Sequence, residues 1–358
     1  MKKINALLLF YIFLALLFFY FVALDVLNGH TVFQFYADSK TYEEVALYGT
    51  DNESLTEVSH NTYGPVAVLK VLGPRNYWLI FFHNILIFLI SFYFLTRNKN
   101  INVNKLAFLI LLQPITFTSL MSINKELICL LCVSLIIYNH ERQNKLLCII
   151  LIGLTYLARW QFTLFYILYL LLFSKLNFWK ERRLLTTIVA LVVITAGLFA
   201  FRNTFLSDVF SIYDRLLAVQ DAHGAGTFRK LMSIQDNYGY IFAFIPKTLF
   251  NLIALIRNYN QFFDFTDAYN NTFMFLQTIV NIYILFLCFV KKIYHLKYTY
   301  FYLAVIYCMV FSISPVFGPR YLYPALLFVC YELAVKRPVD KGTIKTQVEG
   351  ESQVGVIE

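Results

Sequence analysis

Apolar runs of roughly 18 residues or more recur along this chain from one end toward the other, and no other feature restricts its fold so tightly. A run of that length is what a helix needs to cross a hydrocarbon core about 30 Å thick. A soluble core of this size cannot hide so much uninterrupted apolar sequence. Composition agrees: 14% of the 358 residues are charged, against about 25% in an ordinary soluble domain. Spanning segments must satisfy their own backbone hydrogen bonds, so the expected fold is an all-α polytopic membrane protein.

The runs predict about ten spans, near 5–25, 77–96, 105–122, 126–139, 145–158, 161–174, 184–201, 273–290, 298–314 and 320–335. The net charge of +9 does not signal nucleic acid, because Lys and Arg gather in short clusters between runs. Lys2-Lys3, Arg97 to Lys105, Arg142 to Lys145, Lys175 to Arg183, Lys291 to Lys297 and Lys336 to Lys345 all fall on one side when Met1 is placed inside. Basic loops retained in the cytoplasm produce that pattern. It predicts a multi-pass plasma (inner) membrane protein with both termini cytoplasmic. The first run is longer than a signal-peptide core and lacks a small-x-small cleavage site, so it reads as a retained span.

A single membrane domain, 1–335, is expected, followed by a polar, disordered cytoplasmic tail, 336–358. Segment 240–256 is apolar enough to span, but spanning would reverse the charge pattern downstream. Pro246-Lys247 is also expected to interrupt it, so it reads as a re-entrant or interfacial helix. Two outward loops, 26–76 and 202–272, are large enough to hold chemistry.

Polar groups collect at the outward ends of the spans. Asp38, Glu43 and Glu44 follow the first span, with Tyr42 between them. A carboxylate at the membrane boundary can act as general base toward a hydroxyl; the plainer reading is that Asp38 or Ser39 caps a helix beginning near Thr41. Asn124-Lys125-Glu126 and Arg159-Trp160 occupy turns of almost no length. The flanking runs are short, so these turns are expected in a depression below the surface, where unpaired charge is expensive. The plainer reading pairs Lys125 with Glu126 and lets Arg159 snorkel past Trp160. Arg320 and Tyr321 sit in a Pro- and Gly-rich hairpin, 315–324, and a guanidinium there can grip a phosphate bidentately. Lys247 and Arg257 flank the 240–256 segment; Lys247 is a candidate ligand of the lipid phosphate, and the plainer reading is that both mark the segment's edges. One acid and several cations thus face the same side from distant parts of the sequence. That set suits a leaving phosphate held by fixed positive charge beside an activated acceptor hydroxyl.

No phosphate-binding loop, dinucleotide fingerprint, zinc-protease motif or nucleophile elbow occurs in a plausible setting. No DxD pair or other metal ligand set is evident, so no cofactor is expected and a divalent cation has no support. The six cysteines lie within apolar runs and read as small buried hydrophobes, Cys129-x-x-Cys132 included.

Asp38-Ser39-x-x-Tyr42 after the first span resembles the first outer loop of C-type, polyprenyl-dependent glycosyltransferases. Asn124-Lys125-Glu126, Arg159-Trp160 and Arg320-Tyr321-x-x-Pro324 resemble motifs of bacterial O-antigen and capsule repeat-unit polymerases (Wzy-type). The resemblance covers residues 1–335 as an architecture. It implies Asp38 as base, with Lys125, Arg159 and Arg320 on the phosphate or diphosphate of an undecaprenyl-linked glycan donor. A glycan acceptor, membrane lipid and a chain-length regulator would be the partners. Only 202–272 matches the two large mid-chain loops of repeat-unit polymerases, and the soluble C-terminal domain of many C-type enzymes has no counterpart here. Polymerisation is the favoured expectation and single-sugar transfer remains beside it. The alternatives are a flippase for a lipid-linked glycan and a membrane acyl- or phosphotransferase. Transport would favour internal repeats and charges at mid-membrane, whereas these charges sit at span ends.

Overall fold

The computed structural model describes residues 6–29, 38–49, 62–98, 100–175, 177–179, 181–201, 225–253, 259–314 and 318–337. The acidic residues Asp51, Glu53 and Glu57, most of the first half of the 202–272 loop, Arg257, Pro315 to Phe317 and the tail from Pro338 lie outside them. The described chain is all-helical, with fifteen helices. They are α1 (Ala6–Leu27), α2 (Ser39–Tyr48), α3 (Tyr63–Leu72), α4 (Tyr77–Thr96), α5 (Val103–Leu111), α6 (Pro114–Met121), α7 (Lys125–Arg142) and α8 (Lys145–Ala158), followed by α9 (Trp160–Phe173), α10 (Arg183–Phe201), α11 (Ala225–Tyr238), α12 (Tyr240–Ile253), α13 (Tyr269–Val290), α14 (Thr299–Phe311) and α15 (Tyr323–Ala334).

Among the described residues four helices are long and apolar enough to cross a membrane: α1, α4, α10 through Ala200, and α13. A bent pair, α5 and α6, raises the number to five if it counts as one span. This is the make-up of a multi-pass membrane protein, but it corrects the expectation of about ten spans. The physical reason is length. Helices α8 and α9 have 14 residues each and α14 has 13, so they rise only about 20 Å, well short of a 30 Å core. Helix α15 is shorter still, and α7 carries Lys125, Glu126, Glu141 and Arg142 at its two ends. Apolarity serves burial within the protein in α15, every residue of which is buried, and in most of α14, whereas α8 and α9 keep many of their apolar side chains exposed.

The α5–α6 break, bent by 71°, follows from Pro114, which lacks an N–H and clashes with the preceding turn. The loosened backbone is caught by side chains. The Ile115 amide donates to Gln277 Oε1 at 3.2 Å, Gln277 Nε2 donates to Asn281 Oδ1 at 2.8 Å, and Asn281 Nδ2 donates to the Leu252 carbonyl at 3.2 Å. Gln113, Gln277 and Asn281 are fully buried, so this amide chain ties α6, α13 and α12 together in a setting where an unpaired amide would cost several kcal/mol. Pro246 behaves otherwise. Contrary to expectation α12 continues through it from Tyr240 to Ile253, supported by packing against α10, α11 and α13.

The main core gathers side chains of α4 to α9 and α13 to α15 around rings such as Phe88, Phe162, Phe165 and Tyr307. A smaller apolar cluster, built on Tyr42, Val45, Val66, Leu69, Ile80 and Ile123, docks α2 and α3 on the end of the bundle where α7 begins. Helix α3 also meets α8 there, at Gly64: a Cβ on that residue would overlap the Leu157 carbonyl oxygen.

Candidate functional site

Helices α2, α7, α9, α13 and α15 all start at this end of the bundle. Their first turns carry the residues that converge. Asp38 occupies the N-cap position of α2, which begins at Ser39, two residues earlier than expected, yet its carboxylate makes no cap bond. It turns instead to Arg320, with Oδ2 accepting from Nη1 at 2.9 Å and Oδ1 from Nη2 at 3.5 Å. Tyr42, one turn along α2, donates its hydroxyl to the same carboxylate at 3.4 Å. The Lys125 ammonium stands 5.3 Å from the centre of the Tyr42 ring.

Lys125 opens α7 because Ser122 and Asn124 are extended and end the preceding helix. That turn is held at fixed depth by Asn84 of α4, whose Nδ2 donates to the carbonyls of Ser122 at 2.9 Å and Leu120 at 3.2 Å. Arg159 breaks α8 from α9 with an extended backbone. Its side chain runs inward, contrary to a snorkelling arginine, and Nη2 bonds Glu126 Oε1 at 2.6 Å. Both partners are almost completely buried, at 4% and 2% side-chain exposure. Glu126 therefore belongs to Arg159 and not to its neighbour Lys125, since adjacent residues on a helix face different directions.

Arg320 lies in a single 3₁₀ turn, Pro319–Leu322, entered through Gly318 at φ +143°. Only glycine adopts that conformation without strain, and Asn251 of α12 fixes the turn by accepting from the Gly318 amide at 2.9 Å. The Tyr321 ring is shared by two cations: Arg159 sits 4.9 Å and Arg320 4.8 Å from its centre. Arg320 also donates to the Tyr321 hydroxyl at 2.9 Å and lies 5.9 Å from the ring of Tyr269, the first residue of α13. Stacking on Phe311 orients Tyr321.

The cluster holds three cations, Lys125, Arg159 and Arg320, and two carboxylates, Asp38 and Glu126, for a net charge of +1. Helix N-termini add partial positive charge. Burial works to raise the Asp38 pKa, but Arg320, with Lys125 and Arg159, overrides it and holds the carboxyl below its ordinary value of 3.8. Asp38 is therefore ionised and able to accept a proton. Around Arg159 the hydrogen bonding is incomplete. Arg159 Nε and Nη1, Glu126 Oε2, Asn124 Oδ1, Ser122 Oγ, Gln161 Oε1 and the Tyr269 hydroxyl are buried with no partner among the described residues. Orphaned buried polar atoms are uncommon and costly, and these belong to the turns that carry Lys125 and Arg159 and to the start of α13.

Of the residues singled out from sequence, Asp38, Tyr42, Lys125, Arg159, Arg320 and Tyr321 meet in the cluster. Asn124 borders it through its unpartnered oxygen, and Trp160 is half-buried at the start of α9. Two acids fall outside it. Glu43 accepts the Tyr77 hydroxyl at 3.2 Å and pairs with the exposed Arg75 at 3.4 Å; half-buried Glu44 pairs with none of the three cations. Lys247 is also elsewhere. It is fully buried in mid-helix, not at an interfacial edge, and donates to Gln235 Oε1 at 2.8 Å and to the Ser314 carbonyl at 3.3 Å. Its role is to hold the end of α14, just ahead of the Arg320 turn. Residues not foreseen as site members are Tyr269 and Phe311, while Ser122 and Gln161 belong to the two turns singled out from sequence. The signal of Tyr269 and Phe311 was weak: each is an ordinary residue at the edge of an apolar run.

Among the described residues no group of three or more His, Cys, Asp or Glu side chains is placed to hold a metal ion. Comparison with known proteins finds no matching family model, no matching curated relative and no matching solved structure, so a functional reading of this chain rests on the cluster itself.

Proposed function

We propose that this cluster is the active site of a membrane glycosyltransferase. It would transfer glycan units from an undecaprenyl-(di)phosphate-linked donor to an acceptor sugar on the outer face of the membrane, most simply by repeat-unit polymerisation. The observation that supports this reading is the juxtaposition of an ionised carboxylate, Asp38, with three cations, one of them buried and only partly hydrogen-bonded. Fixed positive charge in a dry site stabilises a departing phosphate, and a carboxylate beside it serves an incoming hydroxyl.

In this scheme the acceptor oxygen bonds to the donor's anomeric carbon while the bond from that carbon to the phosphate oxygen breaks. The acceptor's proton goes to Asp38, and the bonding electron pair leaves with the lipid phosphate, which Lys125, Arg159 and Arg320 hold. Arg320 is bound to Asp38 in the resting protein. A donor phosphate competing for Arg320 would loosen that grip and give Asp38 back its basicity only when substrate is present. The unpartnered atoms of Asn124, Ser122, Gln161 and Tyr269 suit sugar hydroxyls, which need both donors and acceptors.

The test is the lipid-linked and surface glycan profile of a deletion strain, complemented with wild type or Asp38→Asn. Loss of long chains, with one repeat unit left on the lipid, in both the deletion and the Asp38→Asn strain is the expected result. A product one sugar short would identify a single-sugar transferase instead. An unchanged profile in the deletion strain would remove the glycan reading and favour transport of another substrate.

A further inference from the structure

A second site lies at the opposite end of the bundle, where α9 ends and α10 begins. A cavity of about 810 Å³ opens there, lined by Leu172 and Phe173 of α9, Glu181 to Leu185 at the start of α10, Leu296 and Lys297 ahead of α14, and Tyr302. Its volume is that of a small-molecule site. Its chemistry has two parts. Leu172, Phe173, Leu184, Leu185 and Tyr302 form an apolar wall, and Arg182, Arg183 and Lys297 form a basic rim, offset by Glu181 to a net of +2.

The three cations are not equivalent. Arg183 is fully engaged in structure: Nη1 donates to the carbonyls of Leu296 at 2.9 Å and Lys297 at 3.0 Å, Nη2 donates to Thr299 at 3.2 Å, and the guanidinium lies over Phe173 and Tyr302. It joins α10 to α14 and thereby makes the floor of the cavity. Arg182 and Lys297 are exposed and no acid of the described chain pairs with either.

Two further observations place this cavity against lipid. Helix α10 is a span by length and composition, yet only 17% of its window is buried in the protein, the lowest share of the four long helices. Its apolar side chains Leu184, Leu185, Ile188, Val192 and Val193 are exposed in a row leading away from the rim. Immediately before the rim, Phe178 and Trp179 are exposed as well, and aromatics in that position mark the membrane–water boundary. The rim thus stands at headgroup depth, and the apolar wall continues into the hydrocarbon.

We infer that this cavity binds an anionic phospholipid, with the headgroup phosphate on Arg182 and Lys297 and an acyl chain along Leu184, Leu185 and Tyr302. A free soluble anion would have no use for the apolar wall, and a zwitterionic lipid would not match the net positive rim. Basic pockets between membrane helices recognise anionic headgroups in this way. The inference is independent of the chemistry proposed for the Asp38–Arg320 end.

The test uses the purified full chain in detergent, with dioleoyl phosphatidylglycerol, dioleoyl phosphatidylcholine and inorganic phosphate added separately. Retained lipid is read by native mass spectrometry and the unfolding midpoint by a thermal scan. Phosphatidylglycerol should be retained in preference and raise the midpoint. Arg182→Gln with Lys297→Gln should weaken that retention roughly thirtyfold, taking about fivefold per surface cation. Leu185→Trp, which fills the cavity and leaves every charge in place, should also reduce it. Equal retention of the two lipids overturns the proposal, as does retention unaffected by either variant. A midpoint rise with inorganic phosphate equal to that with phosphatidylglycerol overturns it in favour of a soluble anion.

Discussion

The two ends of the bundle use the same residue types to opposite effect. At the end where α7 finishes and α14 starts, the buried and half-buried charged groups are satisfied. Glu332 accepts the Tyr300 amide and pairs with Arg337, each at 3.0 Å. Glu141 takes bonds from Asn98 and from the Tyr300 hydroxyl, and Lys105 donates to the Leu333 carbonyl at 2.6 Å. None of the buried orphan atoms belongs to this set. At the other end Arg159 and Glu126 are buried more deeply and leave three side-chain atoms unpartnered. A satisfied network rigidifies helices; a partly satisfied one is unstable unless something completes it. The Glu332, Glu141 and Lys105 network of the first end ties helices together, whereas the Arg159–Glu126 pair of the second is the part of the proposed site left incomplete.

The sharpest way to break this contrast is Arg159→Ala, which leaves Glu126 buried and uncompensated. It should lower stability by about 3–5 kcal/mol, read as a fall in the unfolding midpoint, and adding Glu126→Gln should recover part of the loss. A stable Arg159→Ala protein with transfer intact would show that this end is not the strained one. Next in size is Glu332→Ala at the satisfied end, with an expected loss of about 1.5–3 kcal/mol and unchanged transfer per folded molecule. Abolished transfer with the fold retained would join the two ends functionally.

Acid titration gives a smaller effect of known sign. The Asp38 carboxyl is held below its ordinary value of 3.8, so its pairing with Arg320 contributes stability in full above that value and loses it as pH falls through the depressed one. The wild-type unfolding midpoint should therefore decline on strong acidification by an increment that Asp38→Asn lacks. Matching acid profiles would mean that Asp38 and Arg320 do not pair in solution. Smallest of all should be Glu43→Gln. Its partner Arg75 is 68% exposed, and such surface pairs contribute less than about 1 kcal/mol, so stability and transfer should both stay near wild type. Loss of transfer there would restore Glu43 to the site.

Much of this arrangement was legible in the sequence because charge beside a long apolar run has few places to go. Lys125, Arg159 and Arg320 were each confined to short turns, and short turns at one end of a bundle come close together; Asp38, in the long 26–76 loop, was placed only by following closely on the first span. The number of spans was not legible in the same way. Hydropathy reports that a run is apolar but not where its helix stops, and α8 and α9 stop at 14 residues each. The partner of Glu126 was also hidden, because Lys125 was nearer in sequence and only the helical twist turns the two apart. Gln113, Gln277 and Asn281 carried a readable sign, as amides set within apolar runs, but nothing in one sequence says that they bond to each other.

Gly64 gives the site a mechanical property. Backbone rests on backbone where α3 crosses the end of α8, and the atom it touches belongs to Leu157, two residues before Arg159. No side chain lies between to bend or rotate, so a displacement of α3 has nothing to damp it before it reaches the arginine. Helices α2 and α3 share one small apolar cluster. The cap they form therefore rests backbone to backbone just ahead of the Arg159 turn, and the bulk of even one methyl at residue 64 would press directly on that turn.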